Sequence, residues 1–140
     1  MRDVEPRRTV TNTPEAARSG VGRALLSTMH RVEIDRSAAV AVVAARGELD
    51  AYAAPDLSHA FTSVAGDDRI VVDLETVSFL DSTALGIVVR AIREVDERRG
   101  RSLIVLPTGP ARRIFEITTL DRVLAVAPTR AYALAALAAG

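Results

Sequence analysis

Asp81, Ser82 and Thr83 stand in a row between an apolar run that reads as a strand, "IVVDL", and one that reads as a helix, "STALGIVVRAIREVDERRG". Their types admit three chemistries. A serine nucleophile needs a base to take its proton, and the chain holds two histidines, His30 at the start of the first strand and His59 on a helix between apolar residues. Leu80 and Ala84 occupy the places where a nucleophile elbow, Gly-x-Ser-x-Gly, carries glycine, so hydrolase chemistry is unsupported. The second chemistry is a helix N-cap, in which Asp81 or Ser82 accepts a hydrogen bond from a free first-turn N–H, worth about 1 kcal/mol. A cap alone does not need three polar residues.

The third is a modification site. A phosphate on a first-turn hydroxyl meets free N–H donors and the positive end of the helix dipole. It adds about −1.5 to −2 of charge at neutral pH, and Asp81 is already a negative neighbour. The fold tolerates that charge, but a partner resting on the surface does not. Like-charge placement costs several kcal/mol at an interface, and about 1.4 kcal/mol is tenfold in affinity.

Other site chemistries find little here. Asp50, Asp56, Asp73 and Asp81 are scattered singly, without the spacing of a metal site. The strand-to-helix junctions "GELDAYAAP" and "SFLDSTALG" lack both phosphate-binding glycine patterns. The absence of Cys removes disulfides, thiolate catalysis and Cys-ligated metals together. No cofactor and no metal are expected. Formal net charge is +0, so there is no basic surplus to neutralise a nucleic acid. Every basic residue is Arg and none is Lys, which reads as compositional bias. No apolar run approaches the roughly 20 residues of a membrane span, and Arg18 and Arg23 interrupt any signal-peptide core. No membrane contact and a cytoplasmic location are expected.

The elements that position the polar row follow from hydrophobic period. Residues 1–28 are polar, carry Pro6 and Pro14 and lack an apolar period, which predicts a flexible tail, with at most a helical turn or two over "VGRALLSTM". Residues 29–140 read as one domain, and Met29 is a candidate translation start. "RVEID" and "AVAVVAARGELD" predict a hairpin turning near Arg36 and Ser37. "AAPDLSHAFTSVA" puts Leu57, Ala60, Phe61 and Val64 at helical spacing, with Pro55 in the first turn. "IVVDL" predicts a short central strand, after which Val77 and Phe79 alternate inward. The next helix sets Leu85, Val88, Val89, Ile92 and Val95 against a charged face of Arg90, Arg93, Glu94, Glu97 and Arg98, and Gly100 ends it. "SLIVLP", "PARRIFEITTL", "RVLAVA" and "TRAYALAALAA" continue as strand, helix, strand, helix. The fold class is α/β: a mixed sheet of about five strands with about four helices packed on it. Aromatics are 4% of the chain, so Val, Leu, Ile and Ala must build the core.

Two stretches resemble the STAS domain family, and within it the bacterial anti-sigma factor antagonists: "GELDAYAAPDL" at 47–57 and "VVDLETVSFLDSTALGIVV" at 71–89. With the β/α order, the likeness covers residues 30–140. The resemblance implies a switch protein without catalysis of its own. Its implied partners are an anti-sigma factor, usually also a serine kinase of the histidine-kinase-like ATPase type, and a PP2C-type phosphatase that restores binding. Carried onto this chain, phosphorylation falls on Ser82, with Thr83 as second choice. The partner-binding surface falls on Asp50, Asp81, Ser82, Thr83, Ala84, Leu85 and Gly86. The family often has Gly where this chain has Ala84, whose methyl is expected to crowd the surface beside the acceptor. Gly86 is kept, and a glycine there costs a helix about 1 kcal/mol relative to Ala, which calls for a packing or a partner-contact reason. Two other roles of such a domain stay open, a subunit of a transport or lipid-trafficking ABC-type assembly and a small-ligand or nucleotide sensor.

Overall fold

The computed structural model describes residues 7–9 and 29–138. The remaining tail residues, and with them all but the last residue of the helical turn expected over 21–29, lie outside the described residues. Three residues of the expected tail, Arg7–Thr9, form strand β1, with Arg7 opposite Asp35 and Thr9 opposite Glu33 of the next strand.

From His30 the chain follows the expected order. Strands β2 (His30–Ser37) and β3 (Val40–Leu49) form an antiparallel hairpin. Ser37 pairs with Val40, so the turn is Ala38-Ala39 rather than Arg36-Ser37, with Ala38 in the left-handed region at φ 53°. Then come α1 (Ala54–Ser63), β4 (Arg69–Leu80), α2 (Ser82–Glu97), β5 (Arg101–Val105), α3 (Pro110–Ile117), a 3₁₀ turn (Leu120–Arg122), β6 (Val126–Ala127) and α4 (Arg130–Ala138). The six strands lie in sequence order, and β3 through β6 are parallel. Five strands run from His30 onward, and β1 adds the sixth at the edge. Arg99 at φ 64°, not Gly100, takes the left-handed position that ends α2.

Parallel neighbours need crossover helices, and stepping always in one direction with one handedness stacks those helices on one face. Leu57 and Ala60 of α1, Val88 and Ile92 of α2, and Phe115 of α3 accordingly share one buried cluster with Val32, Val43, Val72 and Ile104 of the sheet. The alternate strand residues Val42, Val71 and Val105 form a second cluster with Ala133 and Leu137 of α4, which lies on the opposite face. Arg130 ties that helix down: its guanidinium donates to Asp73 Oδ2 at 2.7 Å and to Asp35 Oδ2 at 2.8 Å. Burial works against this cation, but the two carboxylates outweigh it and raise the Arg130 pKa, so the clamp stays charged.

β4 is 12 residues long, against the five expected, running the length of the ten-residue β3 and accommodating two extra residues against it. Ala44 pairs with Asp73 but Arg46 with Thr76, and Gly47 pairs with Val77 but Glu48 with Phe79. Each extra residue reverses which side chains face the helices. Val72 and Leu74 point to the helix layer, then Val77, then Leu80. Phe79, expected inward, is thereby turned out and is 48% exposed.

Gly47 sits at φ +81° in the same irregular stretch, and a Cβ there would collide with the Met29 carbonyl oxygen. That carbonyl accepts the Glu48 N–H at 2.8 Å, bringing the backbones of β2 and β3 together. Gly47→Ala is expected to destabilise the domain by about 1–3 kcal/mol, the cost of a strained backbone site, read as a lowered urea midpoint with an unchanged slope.

Candidate functional site

The polar row is placed by the ends of two parallel strands. Leu49 and Leu80 are register partners, both buried, and the Asp81 N–H donates to the Leu49 carbonyl at 3.0 Å. Asp50 and Asp81 therefore leave the sheet side by side at one edge. Each then closes a turn. Asp50 Oδ1 accepts from the Tyr52 N–H at 2.9 Å and the Ala53 N–H at 3.3 Å, and its carbonyl accepts from Ala54, which begins α1. Asp81 is extended at φ −90°, ψ 177°, and its Oδ1 accepts from the Ala84 N–H at 2.9 Å while its carbonyl accepts from Leu85. The cap of α2 is thus Asp81 and not Ser82.

This releases the hydroxyls. Ser82 and Thr83 are exposed and are the first two residues of α2, and their hydroxyls make no hydrogen bond to a described residue. Their own N–H groups are first-turn donors without intrahelical acceptors, and Asp81 occupies only those of Ala84 and Leu85. Exposed oxygen, two free donors and the positive helix end together suit an added phosphate.

The other expected site residues divide. Ala84, expected to crowd this surface, is fully buried within the helix-side core, so its methyl packs inward. Leu85 is half-buried and packs on that core. Gly86 is exposed, and a Cβ built on it meets nothing within 4 Å. That removes the close-packing explanation for the glycine. Ser82, Gly86 and Arg90 form an exposed stripe at a spacing of four residues. Arg98 is no free member of the charged face, because its guanidinium donates to the Asp67 carbonyl at 2.6 Å.

Two features escaped the sequence. Tyr52 and Phe79, 55% and 48% exposed, stand near the same strand ends as Asp50 and Asp81, with Phe79 on the face of the sheet away from the helix layer. His30 is buried, and its Nε2 lies 2.9 Å from Asp56 Oδ2 in the first turn of α1. This pair joins the start of β2 to the helix that follows Asp50, and it occupies His30. His59 is exposed on α1. Ser82 therefore touches no described base. Among the described residues no cluster of three His, Cys, Asp or Glu side chains is placed to hold a metal, and no helix is long and apolar enough to cross a membrane.

Comparison with known proteins bears on the family and the fold. The STAS domain family model matches residues 31–133. The anti-sigma-B factor antagonist of Listeria monocytogenes is 34% identical over 82 residues, which cover 57% of this chain and 72% of that protein. The anti-sigma-B factor antagonist of Staphylococcus aureus is 35% identical over 82 residues, 57% of this chain and 76% of that protein. The crystal structure of an anti-sigma factor antagonist from Mycobacterium paratuberculosis superposes with a TM-score of 0.70 at 30% identity, covering 77% of this chain and 93% of that one.

The helix start separates stability from contact. Asp81→Ala is expected to lose about 1 kcal/mol with the cap. Gly86→Ala, with open space around it and a helix propensity to gain, is expected to stabilise the fold by about 0.5–1 kcal/mol. Urea unfolding of both variants beside the parent chain checks the two signs.

Proposed function

The chain belongs to the STAS domain family, and from that premise we propose that it is an anti-sigma factor antagonist whose binding is switched off by phosphorylation of Ser82. Residues 29–140 form the acting unit. It binds an anti-sigma factor, itself a serine kinase of the histidine-kinase-like ATPase type, and so frees a sigma factor in the cytoplasm. The names of the relatives support the role, and the state of Ser82 supports the switch.

One observation carries the reading. Asp81 takes the capping duty, which leaves the Ser82 hydroxyl exposed and unbonded at the tip of α2. Before modification the surface is a shallow mixed patch. Tyr52, in the turn after Asp50, supplies apolar area, Gly86 lets a partner's backbone come close, and Asp50 and Asp81 flank the acceptor. Exposed aromatic side chains of this kind are the usual anchors of a protein interface. A phosphate on Ser82 is held by the free N–H groups of the first turn, so the fold is undisturbed. It also puts about −1.5 to −2 of new charge beside Asp81. A partner that fitted the patch must then desolvate that charge or leave. Removal of the phosphate by a PP2C-type phosphatase restores the original surface.

Catalysis belongs to the partners in this scheme. Ser82 receives the phosphoryl group from ATP bound to the kinase, its hydroxyl oxygen attacking the γ-phosphorus while ADP departs and the hydroxyl proton is lost to the kinase's base. The antagonist contributes an accessible oxygen and a rigid helix tip.

Incubation with the cognate anti-sigma kinase and ATP is expected to add one phosphate, mapped by mass spectrometry to Ser82. Ser82→Ala removes the label and keeps binding, Ser82→Glu weakens binding, and Thr83→Ala leaves the label in place. Labelling that survives Ser82→Ala contradicts the assignment.

A further inference from the structure

Two residues at the start of β2 hold the segment that carries Asp50 at both of its ends. The Met29 carbonyl accepts the Glu48 N–H at 2.8 Å, just before Asp50, and the His30 imidazole meets Asp56 in the first turn of α1, just after it. A carboxylate only accepts, so Nε2 carries the proton and donates to Asp56 Oδ2 at 2.9 Å. Both side chains are buried, 3% and 8% exposed. The start of α1 has no capping side chain of its own, because Ala53 stands at the N-cap. The apolar contacts of Leu57 and Ala60 seat the helix on the sheet, but such contacts are non-directional and do not fix its place along the strands. A buried hydrogen bond is directional and does.

We propose that His30 is a positioning residue of the partner surface, acting through Asp56 and the first turn of α1 to hold the Asp50 turn in place beside Ser82. The inference rests on the reading of the Asp50–Ser82 edge as that surface. The path is short. The Ala54 N–H at the start of α1 donates to the Asp50 carbonyl, and the Tyr52 and Ala53 N–H groups donate to the Asp50 carboxylate. A shift of the first turn of α1 therefore strains each of these bonds. Asp81 is held by other means, its N–H on the Leu49 carbonyl and its carboxylate on α2. The two halves of the surface are thus fixed separately, and His30 governs one of them. A partner that touches both halves needs them at one spacing.

The pair is a poor device for stability alone. Nδ1 of His30 is buried with no hydrogen-bond partner among the described residues, and an orphaned buried polar atom lowers stability. Two apolar side chains in the same space hold a core as well or better. What they lack is the direction that the hydrogen bond supplies.

A full chain carrying His30→Leu together with Asp56→Leu separates position from stability. Both polar groups go and no unpaired charge is left, so the thermal midpoint is expected to stay at or above the parent's. Amide hydrogen exchange, read by NMR, is expected to quicken at least about tenfold at Tyr52, Ala53 and Ala54 and to stay unchanged at Val88 and Ile92. Calorimetry is expected to show binding of the cognate anti-sigma factor weakened at least about tenfold, and weakened no further when the same pair is replaced in an Asp50→Ala chain, because both changes act through one turn. His30→Gln, which keeps a donor toward Asp56, is expected to retain the parent's exchange and affinity. Parent-like exchange or affinity in the double variant overturns the proposal, as do exchange that quickens equally in α2 and losses of affinity that add to Asp50→Ala. Loss of the fold in the double variant overturns it too, since the pair is then needed for stability itself. If the anti-sigma factor binds none of the chains, the parent included, the assigned partner is wrong, and the exchange pattern alone decides whether His30 holds the turn.

Discussion

The hydrogen bond from the Asp81 N–H to the Leu49 carbonyl holds the ends of β3 and β4 level, and the rest of the site depends on it. Two parallel strands that stop together deliver the residues after them to one edge. Asp50 and Asp81 are those residues, and each uses its carboxylate to turn the chain into a helix. The turn chemistry is therefore what frees Ser82. A serine in the capping position would be bound to its own helix. One place later it points its hydroxyl to solvent while still standing at the positive end of the helix.

The sheet around this edge is built with its two faces unequally loaded. Three crossover helices fill one face with Leu57, Val88, Ile92 and Phe115, and α4 alone serves the other, pinned by Arg130 between Asp35 and Asp73. The thick face gives α2 a rigid seat, with Ala84 and Val88 fully buried beneath its first turns. A helix held this firmly presents Ser82 and Gly86 without moving. In the proposed switch the surface changes state by gaining charge, with no change of shape required.

Much of this was legible in the sequence, since the elements rest on local patterns. The order of strands and helices followed from apolar period, and the helix after Asp81 was plain from Val88, Ile92 and Val95. The place of Ser82 just after the strand and at the start of the helix was likewise readable, and the structure has it exposed at the helix tip. What was not legible depends on pairing between strands. Phe79 alternates with Val77 in sequence, but the extra residue between them in β4 reverses the alternation, and no local signal announces a bulge of that kind. The same is true of His30 and Asp56, 26 residues apart, which meet only because β2 begins beneath α1. The hairpin turn at Ala38-Ala39 carries no Gly, Asn or Asp to mark it. Ala84 was placed on the surface for its neighbours, whereas the helix phase set by an Asp81 cap turns it inward.

The proposed switch requires a surface complementary to a partner in one charge state and incompatible in the other. The most direct measurement is the affinity of the cognate anti-sigma factor for the unmodified chain and for the chain stoichiometrically phosphorylated on Ser82, by titration calorimetry in one buffer. The prediction is a loss of at least about tenfold on phosphorylation, the factor that corresponds to about 1.4 kcal/mol of like-charge placement, while the thermal midpoint of the antagonist alone stays the same. Equal affinities for the two forms would contradict it.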